Sequence, residues 1–140
     1  MSTPSNNLNS PPAPTVWPTV GFRDVDAGVR FLTEDLGFVV TALHRNDDGV
    51  VEHAEARWPD GGGVMFGSRG RPGDWSALGP QGIYVVAGNA ATVDAAWNRL
   101  REREDVEVLW ELHDTDYGSH QFDVRDADSN LWTVGTYRGA

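Results

Sequence analysis

His53 and Glu55 stand two residues apart in the run Val51-Glu52-His53-Ala54-Glu55-Ala56-Arg57. In an extended strand that spacing puts an imidazole and a carboxylate on the same face. Two chemistries suit such a pair. A carboxylate neighbour raises a histidine's pKa toward physiological pH, which makes a general acid–base pair. With a second histidine the same residues would form a two-histidine, one-carboxylate iron site, and His120 on a later strand is the candidate. The plainer alternative is a histidine beside a charged neighbour on a solvated sheet face.

A repeat decides whether the two histidines can meet. Arg57, Asp60 and Gly67 recur as Arg125, Asp128 and Gly135 at one offset (125 − 57 = 128 − 60 = 135 − 67 = 68). Between them the residues match in kind, a small-residue turn followed by an apolar strand. Two copies of one unit usually pack about a pseudo-twofold axis, with a cleft between them. Under this offset His53 matches Gln121, while His120 matches Glu52 (120 − 68 = 52). Opposite parity sends the histidines to opposite sheet faces, so they are not expected to share an ion.

The same parity sorts the other side chains. Ala54, Ala56, Phe122 and Val124 suit a face covered by helices. His53, Glu55, Arg57, Gln121, Asp123 and Arg125 suit a polar, concave face, joined there by Trp17, Met65, Tyr84 and Thr133. Glu55 with Arg57 and Asp123 with Arg125 also read as paired charges. Trp58, Trp97 and Trp132 read as core or interface residues. Trp75, in a Gly/Pro-rich linker, and Trp110 and Tyr117, beside a long turn, are candidates to line a ligand site, since aromatics in loops need a reason to be there.

The elements that must position these residues follow one order twice. Trp17 to Phe22 reads as a strand; Asp24 or Asp26 then caps a helix carrying Val29, Leu32 and Leu36, which Gly37 ends. Strands over 38–43, 50–57 and 63–67 follow, with a hairpin turn at Asp47-Asp48-Gly49. In the second half a strand over 83–86 precedes a helix capped by Asn89 and carrying Val93, Ala96, Trp97 and Leu100. Strands over 106–112, 120–125 and 131–137 complete it, with the second half's extra residues assigned to the turn His113 to Gly118. The run Arg99, Arg101, Arg103 reads as the solvated end of the second helix.

Composition narrows the function. The 140 residues contain no cysteine, hence no disulfide, thiol nucleophile or thiolate metal site. All eleven basic residues are arginine, which rules out lysine Schiff-base chemistry within the chain. A net charge of −10 opposes nucleic-acid binding and would attract a cationic small molecule, although excess acid more often serves only solubility. Mean hydropathy of −0.43 without a long apolar run argues against a membrane span. Residues 1–14, rich in Ser, Asn and Pro, read as a disordered tail and not a signal peptide. Absence of cysteine suits a reducing compartment, and a cytoplasmic location is expected.

The stretches Asp24-Val25-Asp26-Ala27-Gly28-Val29-Arg30-Phe31-Leu32-Thr33-Glu34-Asp35-Leu36-Gly37-Phe38 and Tyr117-Gly118-Ser119-His120-Gln121-Phe122-Asp123-Val124-Arg125-Asp126-Ala127-Asp128-Ser129-Asn130-Leu131-Trp132, set in that element order, make the chain resemble the vicinal oxygen chelate superfamily. This is the group of glyoxalase I, bleomycin-resistance proteins and extradiol dioxygenases. The resemblance runs from about Trp17 to Tyr137. It implies paired βαβββ modules and, for many members, a divalent metal held from the first and last strand of each module. Those positions fall here on Trp17 (Pro18 or Thr19 on a shifted alignment), Gly82 (or Gln81), Met65 and Thr133. Tryptophan, glycine and methionine do not hold a hard cation and a lone threonine hydroxyl is a poor ligand, so the metal-free, antibiotic-sequestering members are the nearest relatives the resemblance implies.

The expected fold is therefore α+β, two βαβββ modules forming a curved, partly open barrel around a central cleft. Module one covers 15–68, a linker 69–79 and module two 80–138. The resemblance implies a homodimer. The expected function is sequestration of an aromatic or cationic compound, with no metal and no cofactor. The alternative is a glyoxalase-like lyase, isomerase or dioxygenase, using a non-standard metal site or the His53/Glu55 pair.

Overall fold

The computed structural model describes residues 13–74, 77 and 79–140; Trp75 and most of the expected tail lie outside them. Strand β1 (Thr19–Phe22) leads into helix α1 (Val25–Arg30), followed by β2 (Val39–Arg45), β3 (Val51–Arg57) and β4 (Gly63–Ser68). The second half repeats this with β5 (Gly82–Val86), α2 (Ala90–Leu100), β6 (Glu107–Asp114), β7 (His120–Arg125) and β8 (Leu131–Gly135). The described strands form two four-stranded sheets, ordered β1-β4-β3-β2 and β5-β8-β7-β6. In each, the first pair is parallel and the others antiparallel. The architecture is α+β, with two modules and no closed barrel.

The repeat holds at the level of pairing. Glu55 faces Met65 as Asp123 faces Thr133, and Arg57 faces Gly63 as Arg125 faces Leu131. Even the irregularities coincide, between Val40 and Ala42 and between Val108 and Trp110. The extra residues of module two are not in its long turn, because the connections from second to third strand are equal (51 − 45 = 120 − 114). They lie between the first and second strands. Tyr84 and Thr19, the partners of Thr133 and Met65, differ by 65 positions, three fewer than the later strands.

Both helices start as their sequences dictate. The Asp24 carboxylate accepts the Ala27 N–H, and the Asn89 side chain accepts the Thr92 N–H. Gly28 permits close packing of α1 on β1, since a Cβ there would lie 2.5 Å from the Phe22 ring. The expected first helix is not uniform. Over Phe31–Leu36 it widens into a π-helical turn, in which the Gly37 N–H reaches back to the Leu32 carbonyl. Gly37, at φ 109°, then ends it in a conformation that suits glycine. The wider turn buries Phe31, Leu32, Asp35 and Leu36 together.

Alternation along β3 and β7 sends Ala54, Ala56, Phe122 and Val124 into the core with no exposed surface. Phe122 packs there on Trp97 of α2, with ring centroids 5.3 Å apart, and aromatic side chains join the halves. Phe31 and Phe38 of module one pack on Trp132 of module two, at ring centroid distances of 5.5 and 6.1 Å. The Trp132 indole N–H donates to Asp126, and the Trp58 indole donates to the Val86 carbonyl at 2.6 Å, so both rings are buried with their polar atoms paired.

The arginine run at the end of α2 is more than a solvated helix end. Arg99 donates to the Asp35 carbonyl and Arg103 to the Asp35 carboxylate, both at 2.9 Å. Burial pushes the Asp35 carboxyl above its ordinary pKa, and the Arg103 charge pulls it back. Asp35 thereby ties the π-helical turn of one half to the helix of the other.

Candidate functional site

The outward face of module one carries the sequence-predicted pair. His53 Nε2 lies 2.7 Å from Glu55 Oε2, and both side chains are partly exposed. His44, opposite His53 on β2, stacks on it with ring centroids 6.3 Å apart and planes 16° apart. Sequence reasoning missed His44, although counting outward from the Asp47-Asp48-Gly49 turn pairs the two. Trp17, Thr19, Glu52, His53, Met65 and Arg71 border a cavity of about 280 Å³.

The outward face of module two is aromatic around one amide. The Tyr84 hydroxyl lies 2.9 Å from Ser119 Oγ and 3.2 Å from Gln121 Oε1, and accepts the Tyr137 N–H at 3.2 Å. The Tyr117 hydroxyl donates to the same Gln121 oxygen at 3.1 Å, while its ring meets Tyr137 edge-on. Trp110 lies flat on His113, centroids 4.4 Å apart and planes 14° apart. Gln121, with Trp110, His113 and Tyr117, lines a cavity of about 260 Å³. Trp110, Tyr117 and Tyr84 keep 60%, 53% and 40% of their surface exposed, although they are large and apolar.

His113 belongs to strand β6, not to the turn expected to begin there. Trp110 and His113 are three positions apart, which strict alternation would place on opposite faces. A register shift between them corrects the parity, and this is why the rings can stack. His113 is fixed by its Nδ1, 2.7 Å from the Glu111 carbonyl. Because that oxygen can only accept, the ring hydrogen sits on Nδ1.

Other expected partners rearrange. Asp123 accepts the Thr133 hydroxyl at 2.7 Å, and Arg125 reaches Glu107 at 3.3 Å, so Asp123 and Arg125 do not pair with each other. Glu55 is held by His53. The site residues divide between the two outward faces: Trp17, His53 and Met65 share one cavity and Trp110, Tyr117 and Gln121 another. Arg57, Asp123, Arg125 and Thr133 line neither. Tyr84 borders a third cavity of about 310 Å³, with Val16, Pro18, Phe38 and Trp58.

His120 faces the helix side. Its Nε2 lies 2.7 Å from Asp94 on α2 and its Nδ1 2.6 Å from Asp114 on β6. The hydrogen bonds to Asp94 and then Asp114 raise its pKa above the usual histidine value. This imidazole is spent on structure and does not join His53.

A divalent metal fits none of these surroundings. The first-strand residues beside Met65 and Thr133 are Thr19 and Tyr84, not Trp17 and Gly82. Thioether, hydroxyl and phenol make a poor donor set for a hard cation, and the Thr133 and Tyr84 hydroxyls are already committed to Asp123, Ser119 and Gln121. Among the described residues no three His, Asp or Glu side chains converge on a metal-sized point.

Known proteins place this arrangement. A family model described as the Glyoxalase/Bleomycin resistance protein/Dioxygenase superfamily matches residues 16–134. TioX from Micromonospora sp. ML1 is 25% identical over 84% of this chain and 93% of its own, with a TM-score of 0.65. A glyoxylase/bleomycin resistance protein/dioxygenase domain from Frankia sp. EAN1pec is 18% identical, covering 91% and 99%, with a TM-score of 0.63. A structure described as oxidase ChaP-H2 is 18% identical, covering 89% and 95%, with a TM-score of 0.61. At 18% identity the likeness is one of fold alone. No curated protein matches the chain.

Proposed function

The chain belongs to the glyoxalase/bleomycin resistance protein/dioxygenase superfamily, and from that premise we propose that it binds a small planar compound, aromatic or cationic, without a metal. The observation that carries this reading is the group of exposed aromatic rings around Gln121 on module two. Each stacking contact contributes about 0.5–1.5 kcal/mol beyond area burial, and more with a cation over the ring. The net charge of −10 speeds capture of a positively charged ligand in low salt.

We read the protein as a homodimer, because Val39 near the outer edge of one sheet and Leu109 near that of the other are apolar and exposed. Sedimentation at micromolar concentration tests this reading. A cytoplasmic setting remains the expectation from the missing cysteines; among the described residues no helix is long and apolar enough to cross a membrane.

The test of binding is tryptophan fluorescence titrated with a planar cationic dye and with neutral naphthalene, in low and high salt. Quenching that weakens with salt for the dye supports the proposal. Absence of quenching by either compound overturns it, as does a stoichiometric metal that survives dialysis.

A second reading has its own observation, the 2.7 Å contact between His53 and Glu55 beside Met65. Such a pair can shuttle a proton for an isomerase or lyase. If a turnover is found, a His53→Ala variant that keeps full activity removes this reading.

A further inference from the structure

Gln121 sits on β7 with 7% of its surface exposed, at the floor of the aromatic cavity of module two. A primary amide has two acceptor sites on oxygen and two donor hydrogens on nitrogen, and the Gln121 Nε2 is not among the buried atoms left without a partner, so it stays open toward the cavity. The oxygen is fully used, taking the Tyr84 and Tyr117 hydroxyls at 3.2 and 3.1 Å. The Tyr84 oxygen already accepts the Tyr137 N–H and stands beside Ser119 Oγ, so its own hydrogen is free to go to Gln121. With both hydroxyls donating to Oε1, Nε2 is left on the other side of the amide. No side chain or backbone oxygen among the described residues takes the Nε2 hydrogens.

Nearby donors are committed. The Tyr117 hydrogen goes to Gln121, and the His113 ring hydrogen goes to the Glu111 carbonyl. His113 pairs with Gln121 across β6 and β7, so the two side chains emerge side by side on one face. Trp110, flat on His113, then forms a platform next to the amide.

We propose that Gln121 determines specificity in this cavity, presenting its amide N–H to a hydrogen-bond acceptor, an aryl carbonyl or ring nitrogen, on the edge of a planar bicyclic ligand stacked on Trp110. This rests on the reading of the module-two face as a ligand site and adds the ligand's chemistry. Tyr84 and Tyr117 act as positioning residues: by occupying the oxygen they hold the nitrogen toward the ligand. The cavity of about 260 Å³ is close to the lower end of ligand-sized pockets, ~300–1,000 Å³, which suits a bicycle better than a larger molecule.

The experiment compares quinoline, whose ring nitrogen is an acceptor only, with naphthalene, which has none, by tryptophan quenching in wild type, Gln121→Met, Gln121→Glu and Tyr84→Phe. The quantity read is the ratio of the two Kd values. A hydrogen bond of the usual net strength predicts that the preference for quinoline falls about three- to tenfold in Gln121→Met. It falls further in Gln121→Glu, whose carboxylate repels an acceptor. A smaller fall in the ratio in Tyr84→Phe, which keeps the ring and loses only the hydroxyl, marks the positioning role and supplies the answer if Gln121→Met does not fold. An unchanged ratio in the folded variants overturns the proposal while leaving aromatic binding intact. Failure of both bicycles to quench the wild type overturns binding and proposal together.

Discussion

Asp128 accepts the backbone N–H of Arg23 at 3.0 Å, from the turn that closes one module to the end of the first strand of the other. The reverse contact exists. Asp60, equivalent to Asp128 under the 68-residue offset, accepts the Gly88 N–H at 3.0 Å just beyond β5. The halves are thus clasped twice by the same contact, as a pseudo-twofold axis requires. The clasps differ in depth, since Asp128 also binds the Arg23 side chain and is buried, whereas Asp60 is exposed.

That difference sets a first expectation. Asp128→Ala leaves the part-buried Arg23 backbone N–H without its acceptor and should lower stability by about 1–3 kcal/mol. Asp60→Ala, where water can replace the carboxylate, should cost roughly 0.5–1 kcal/mol. Urea titration of both variants checks the order; equal losses would contradict the role given to burial.

Gly28→Ala tests the packing of α1 on β1. Alanine is the better helix former by about 1 kcal/mol. Here the added methyl would lie 2.5 Å from the Phe22 ring, itself buried and held edge-on to Phe66. Overpacking of about 1–3 kcal/mol should win, giving a lower Tm.

His120 should make stability depend on pH. Its folded pKa lies above the ordinary 6.5 because Asp94, then Asp114, bind the protonated ring. The stabilisation is therefore fully present below about pH 6.5 and is lost as pH rises through the raised value. Against His120→Gln, the wild-type Tm advantage should be largest near pH 5.5 and shrink toward pH 9. A constant gap would contradict a charged clamp.

Much of the fold was legible in the sequence because polar and apolar residues alternate from His53 to Arg57 and the repeat supplies an independent register. The offset that matches Arg57 to Arg125 also matches Glu55 to Asp123 and Met65 to Thr133, which face each other in equivalent cross-strand pairs. Both helix caps could be read from Asp24 and Asn89, whose chemistry is local. What depends on distant pairing could not be read. The parallel match of β1 to β4 and of β5 to β8 puts Thr19 and Tyr84, not Trp17 and Gly82, beside Met65 and Thr133. The π-helical turn answers to burial of Phe31, Leu32 and Leu36, to Arg99 on α2 and to Arg103 just beyond it, which no local pattern announces. Tyr84 and Gln121 were picked out as candidates, but the hydroxyl network joining them arises only once β5, β7 and the turn before β7 are assembled.

The extra residue between Trp110 and His113 has a consequence beyond the stack it permits. Removing a single residue there would restore simple alternation and turn either the indole or the imidazole inward. Recognition by this half of the molecule then hinges on how many residues the strand holds, as well as on which. A survey by substitution alone would pass over that dependence, and a one-residue deletion would expose it.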